Sequence, residues 1–366
     1  MQEIKKRNFF LGILSAAILL LIFLFIVLFG NINREENVKI GFIMSGSKEE
    51  TGWNGRHYQG IKEACEAFDA ELLVKENIKE YTGLCEQAIH ELAEEGAGMI
   101  ILSSYSYSEE VKDLVKAYPG ITFYAISSEY HSDNMTSYFA RMYQARYLAG
   151  IIAGLKTESG VIGYVAAMPN YEVNRGINAF TLGVKRVNKD AGVVVTWTDT
   201  WDDEAAEREA AGRLIGEMQA DVLTYHQNQN HVIRAAEEAG VFSIGFHQSF
   251  EGFSPLYLTS AVYDWNLVYK ELVREFMRGE ENSRNNYWVG IETGAVALSE
   301  YSSEVSDEIR AEVEKAKAEM LSGRDVFSGV IYDNEGNLQC DESEMISDEM
   351  LLEGFDWYVE GVEFYE

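Results

Sequence analysis

The sequence predicts an α/β protein of two similar lobes, each a parallel sheet covered by helices, joined by a hinge and preceded by one N-terminal transmembrane helix. Three observations predict it. An uncharged apolar run at 9–29 follows the cluster Lys5, Lys6, Arg7; short apolar runs alternate with amphipathic stretches from residue 38 onward; and the alternation begins afresh after residue 147. The length, 366 residues, exceeds what one hydrophobic core usually serves, so two domains are the default.

The apolar run has about the ~20 residues needed to cross a bilayer as a helix. Its basic flank stays in the cytoplasm, which sends the rest of the chain outside. The stretch LFIVLFGNIN offers no small-x-small cleavage site and no cysteine for a lipid, so a retained anchor over residues 1–33 is favoured over a cleaved signal. Residues 34–37 form a polar linker. The expected location is the cell membrane, single-pass, with an extracytoplasmic soluble domain.

In the soluble part, VKIGFIM at 38–44 is a buried strand. Apolar residues recur at helical spacing over 58–68, 82–95 and 108–117, the last stopped by Pro119. Strands are expected at 70–74, 98–102 and 121–126. The second unit repeats the pattern, with helices at 147–155, 173–187, 203–217 and 230–239. Its strands are expected at 161–166, 193–197, 222–225 and 242–246. Such alternation makes Rossmann-like lobes with parallel sheets.

Charge and cysteine content exclude several functions. Sixty acidic against 30 basic residues give a net charge of -30, which repels phosphate backbones, so nucleic acid is not a partner. Cys65, Cys85 and Cys340 are too few and too scattered for a disulfide framework or a zinc site. A Cys65–Cys85 bridge is the alternative to two small buried thiols in helices. His226 and His231 are five apart without an adjacent acid, so no metal is expected. There is no P-loop, no G-x-S-x-G and no G-x-G-x-x-G. Neither a cofactor nor an enzymatic activity is expected.

Ligands of open α/β sheets bind beyond the carboxyl ends of the strands. The segments expected there are rich in Ser, Asn, Gln, His, Tyr and Trp. Trp53 and Trp201, one per lobe, would sandwich a flat ring between aromatic faces; core or hinge packing is an equal alternative from pattern alone. Asn54, Tyr105, His226, Asn228, His247 and Ser249 are the candidate polar contacts, because such side chains donate and accept hydrogen bonds.

The residues also carry a family resemblance. RMYQARYLAGIIAGLKTESGVIGYVAAMPNYEVNRGINAFTLGVKRVN at 141–188, WTDTWDD at 197–203, LTS at 258–260, FSGVIYDNEG at 327–336 and FDWYVEGV at 355–362 resemble the basic membrane protein (BMP) family. These are solute-binding proteins of the purine-nucleoside-receptor-like group that serve ABC transporters. The resemblance implies a type I periplasmic-binding fold. Its lobes are expected at 38–138 plus about 262–285 and at 139–261 plus about 286–366. It implies a purine stacked on Trp53 and Trp201, with Asn54 beside it, and ABC permease subunits as partners. The family's acid-containing segment after the eighth strand is here Gly245-Phe246-His247-Gln248-Ser249, and no lysine follows LTS. A vicinal diol is well held by a carboxylate, so a free base such as adenine is expected over a nucleoside, with a non-purine ligand as the alternative. The resulting expectation is a solute-binding protein of an ABC importer, or else a membrane-tethered ligand sensor on the same fold.

Overall fold

A computed structural model describes residues 38–50, 52–127, 130–280 and 286–365. The expected membrane helix and linker lie outside them. Among the described residues, no helix is long and apolar enough to cross a membrane.

The first sheet is built from β1 (Lys39–Ile43), β2 (Glu71–Lys75), β3 (Met99–Leu102), β4 (Thr122–Ile126) and β5 (Met135–Ala140). Helices α1 (Trp53–Ala67), α2 (Leu84–Glu94) and α3 (Tyr107–Val111) connect them. All pairings are parallel, in the order β2-β1-β3-β4-β5. A strand buried on both faces needs apolar residues at every position, and MIIL in β3 supplies them. Met99 and Ile101 point to the side covered by α1, and Ile100 and Leu102 to the side covered by α2. This alternation settles the cysteine question. Cys65 of α1 and Cys85 of α2 lie buried on opposite faces of the sheet as free thiols.

The second sheet repeats the plan. α4 (Met142–Lys156) leads into β6 (Val161–Ala166), α5 (Tyr171–Val187), β7 (Gly192–Trp197), α6 (Glu204–Gly216) and β8 (Val222–His226). Then follow α7 (His231–Ala239), β9 (Phe242–His247) and β10 (Tyr257–Tyr263). The order β7-β6-β8-β9-β10 is that of the first sheet. The chain next forms α8 (Trp265–Arg278), which packs on α1, and β11 (Asn286–Val289), parallel to β5. It returns as β12 (Val296–Leu298), antiparallel to β10, followed by α9 (Asp307–Leu321). The hairpin β13 (Ile331–Tyr332) and β14 (Leu338–Cys340), helix α10 (Asp348–Glu353) and β15 (Val362–Phe364), which pairs with β7, complete the second lobe.

The backbone therefore passes between lobes three times, after β5, after β10 and after β11. Two expected boundaries move. Residues 139–140 complete β5 in the first sheet, and 286–289, expected in the second lobe, form the first sheet's edge. The shift has a local cause: β11 is only four residues long and follows α8 of the first lobe. Helix boundaries move too. α1 starts at Trp53 rather than 58, α4 at Met142 rather than 147, and the expected helix at 108–117 is α3 plus a 3-10 turn, Val115–Ala117.

α4 and α5 fix the second lobe's cavity wall through a glycine notch. A Cβ on Gly150 would sit 2.0 Å from the Phe180 carbonyl oxygen, and one on Gly183 would sit 2.0 Å from that of Tyr147. Only glycine permits such backbone approach. The close crossing holds α5, whose N-terminus is capped by the Asn170 side chain accepting from Val173 N at 2.9 Å.

Candidate ligand-binding site

In a 2-1-3-4-5 sheet the strand order reverses between strands 1 and 3, and the connections that follow those strands diverge to open a crevice. Both lobes place that crevice at one shared cavity of about 950 Å³, entered by residues following β1, β3, β4, β6, β7, β8 and β9. This is the upper end of the usual size for a small-molecule site.

Seven of the eight expected contacts line it: Trp53, Asn54, Tyr105, Trp201, His226, Asn228 and His247. Ser249 does not; it is exposed, one residue past the buried Gln248. Trp53 and Asn54 stand in the first turn of α1 rather than in a loop. The Trp53 indole N–H donates to the Ser103 carbonyl at 3.0 Å, which leaves only ring surface for a ligand. Its ring stacks on His247 of the other lobe, with centroids 5.7 Å apart and planes 24° from parallel. Beside it, Arg56 Nε donates to Gln248 Oε1 at 2.8 Å, a second bond between lobes. Asn54 is largely used within its own loop, donating to Glu50 Oε2 at 2.8 Å and accepting from Ser45 Oγ at 3.4 Å.

On the other side, Trp201 lies edge-on to His226, with centroids 6.0 Å apart. The Asn228 N–H donates to the Trp201 carbonyl at 2.9 Å. Gln227, oriented to satisfy both ends of its amide, accepts from Thr198 Oγ1 at 2.7 Å and donates to the Thr200 carbonyl at 2.8 Å. Its amide is thereby occupied in holding residues 198–201.

The two cavity histidines are electrostatically alike. His226 and His247 are 2% and 5% exposed, and burial pushes each down to about 4. For His226, Glu172 opposes the shift but loses to burial, while Arg146 and Arg175 reinforce it. For His247, Arg56 reinforces it. Both rings are neutral at pH 7, and a neutral imidazole offers one donor and one acceptor. His226 Nδ1 and His247 Nε2 are buried without a partner among the described residues. His247 also holds a left-handed backbone, with φ at 72°, a strained conformation of the kind found at ligand clamps.

Strand-end reasoning missed several wall residues. Glu172, from the first turn of α5, comes within 3.6 Å of His226 Nε2. It lies in the segment after β6, which the strand-end rule covers, so the rule could have found it. Glu80 enters after β2 and accepts from Ser104 Oγ at 2.5 Å. Asp356 and Tyr358 come from the C-terminal segment FDWYVEGV, which carried the family resemblance but no sign of a place in the site. Asn174 and Asn178 of α5 fasten that segment by donating to the Phe355 and Trp357 carbonyls at 3.1 and 2.8 Å. Carboxylates thus reach the cavity from elements other than 245–249, where the sequence lacks one.

Two parallel-sheet α/β lobes around a shared cavity lined by aromatic and amide side chains are the architecture of the periplasmic-binding class. The chain belongs to the Bmp family, ABC transporter substrate-binding proteins of the PnrA-like type, matched over residues 37–326. It is a solute-binding protein of an ABC transporter, in a family that binds its substrate without converting it. Among curated relatives, a purine-binding protein of Brucella abortus (strain 2308) is 31% identical over 338 residues, covering 91% of this chain and 95% of the relative. A putative ABC transporter glucose-binding protein of Haloferax volcanii is also 31% identical, covering 91% and 82% respectively. Among solved structures, a transcriptional activator of the comK gene from Bacillus halodurans superposes with TM-score 0.70 at 23% identity, covering 78% of this chain and 99% of that one. A solute-binding protein from Conexibacter woesei gives 0.65 at 21%, covering 78% and 97%. At these identities the structures speak for the fold alone.

Proposed function

We propose that the chain captures a flat nitrogen heterocycle, a purine base or close relative, between its lobes for import by an ABC permease. The observation that carries this reading is one interlobe cavity lined by Trp53 and Trp201 together with the neutral imidazoles of His226 and His247. A purine edge alternates donors and acceptors and can pair with both, while its face offers aromatic stacking area. Glu172 would accept from a ring N–H or an exocyclic amine. Contacts from both lobes favour the closed form, and only that difference in affinity shifts the open–closed equilibrium. The apolar run at 9–29 would tether the lobes outside the membrane.

A second reading is a sugar, favoured by the carboxylates of Glu80, Glu172 and Asp356 in the wall, since carboxylates hold hydroxyl pairs. The glucose-binding relative supports it.

Isothermal titration of the full chain with adenine, hypoxanthine, adenosine and glucose separates these readings. The base reading expects adenine or hypoxanthine to bind most tightly. It also expects Trp53→Ala to weaken binding by about tenfold or more, from loss of a stacked aromatic face. Binding of adenosine or glucose with no response to either base sinks it, and an unchanged affinity in Trp53→Ala sinks the stacking role.

A further inference from the structure

Apart from the residues that line the cavity, three side chains of metal-ligating type converge in the second lobe. Asp202 ends the loop after β7, Glu207 lies on the first two turns of α6, and His231 opens α7. One ligand atom from each lies within 4.8 Å of the others. We infer that Asp202, Glu207 and His231 form a binding site for a divalent transition cation of the zinc type.

Geometry and unmet bonding both point there. Glu207 is fully buried, and its Oε1 accepts only a long bond, 3.4 Å, from Asp203 N. Its Oε2 is buried with no partner at all, and His231 Nδ1 is likewise buried without a hydrogen bond. A fully buried carboxylate without a counterpart takes up a proton, is paired or coordinates a metal, and a cation bound here would displace that proton. One imidazole with two carboxylates is a donor set that zinc accepts, at ~2.0–2.2 Å per bond, with a water completing a tetrahedron. That tetrahedron needs donors about 3.3–3.5 Å apart, so the site must tighten by roughly 1 Å. Asp202 is exposed and has the freedom to swing in.

The helix N-termini nearby oppose a cation, each with roughly half a positive charge. That of α6 is already answered by Asp203, whose side chain accepts from Ala206 N at 3.0 Å. Against the remainder stand the two ligand carboxylates and a third, Glu204, whose Oε1 lies 3.9 Å from His231 Nδ1. Negative charge prevails. A bound cation would tie the loop carrying Trp201 to the one carrying Asn228, which already share the 2.9 Å backbone bond, and so brace one wall of the cavity.

The test is zinc binding by the full chain after removal of metal with a chelator, read by metal content at dialysis equilibrium and by visible absorption with cobalt(II) as a substitute probe. The expected result is about one zinc per chain, with affinity falling at least about a hundredfold in Glu207→Gln and in His231→Gln, and with it the cobalt spectrum. Asp202→Asn, at an exposed position, supplies the same comparison should Glu207→Gln not fold. No zinc retained by the unaltered chain, or an affinity unchanged in these variants, overturns the inference. The outcome is independent of which solute fills the cavity.

Discussion

Acidification should destabilise the second lobe through its two cavity histidines, and the size of the effect follows from their burial. An ordinary imidazole titrates at 6.5, but His226 and His247 are held at about 4. Below pH 6.5 the unfolded chain takes up protons that the folded chain refuses. Stability from these groups is therefore complete above 6.5 and is lost progressively as pH falls toward 4. At pH 5 the loss is about 2 kcal/mol for each histidine, from 2.3RT per pH unit over the interval where only the unfolded state is protonated. His57, fully buried and lowered well below 6.5 by burial and by His247, adds in the same direction. Glu207, which burial raises to about 8, acts oppositely, because the folded state then binds the extra proton as pH falls. The measurement is therefore a difference between chains. Urea denaturation at pH 7.5 and pH 5 is compared for the unaltered protein, His226→Gln and His247→Asn, with asparagine chosen because it tolerates positive φ. Each variant should lose about 2 kcal/mol less than the parent on acidification. Parallel losses in parent and variants would refute the argument.

Two further substitutions test the scaffold behind the cavity. Gly150→Ala forces a methyl against the Phe180 carbonyl 2.0 Å away and should cost about 2–3 kcal/mol by pushing α4 from α5, seen as a lower melting temperature. Asn178→Ala removes a side chain that donates to the Trp357 carbonyl and accepts from Val359 N at 3.0 Å. Stranding both groups should cost about 2–4 kcal/mol and raise hydrogen exchange across 355–365 before the rest of the lobe.

Strands buried on both faces were the most legible elements. VKIGFIM, GMIIL and VIGYVA are continuous apolar runs, and each appears within a residue or two of its reading. β5, MTSYFA, escaped because its polar threonine and serine, both buried, broke the run. The start of α1 escaped because its first turn is polar and aromatic: Trp53 and Asn54 line the cavity, and His57 packs on Trp265 and Tyr269 of α8, masking the apolar period of the helix. The same logic explains the site. Residues directly beyond strands could be read from strand position, and seven of the eight expected contacts line the cavity. Glu172 follows β6 and was within reach of the same rule, whereas Asp356 and Tyr358 arrive from a segment distant in sequence, which no local pattern encodes. His231 was set aside as a metal ligand on its spacing from His226 alone; the carboxylates that lie near it, Asp202 and Glu207, come from another loop and helix.

The triple passage between lobes has a consequence for how the chain is made. β11, the edge strand that completes the first sheet beside β5, is translated only after β6 to β10 of the second lobe have emerged. The first lobe therefore leaves the ribosome with β5 as an open edge and with α1 lacking its partner α8, and it cannot finish until residue 289 is available. An unpaired strand edge is a template for wrong pairing. The interval between residues 140 and 289 is thus the stretch of synthesis in which this protein is most exposed to misassembly, and no single cut in the chain would release either lobe whole.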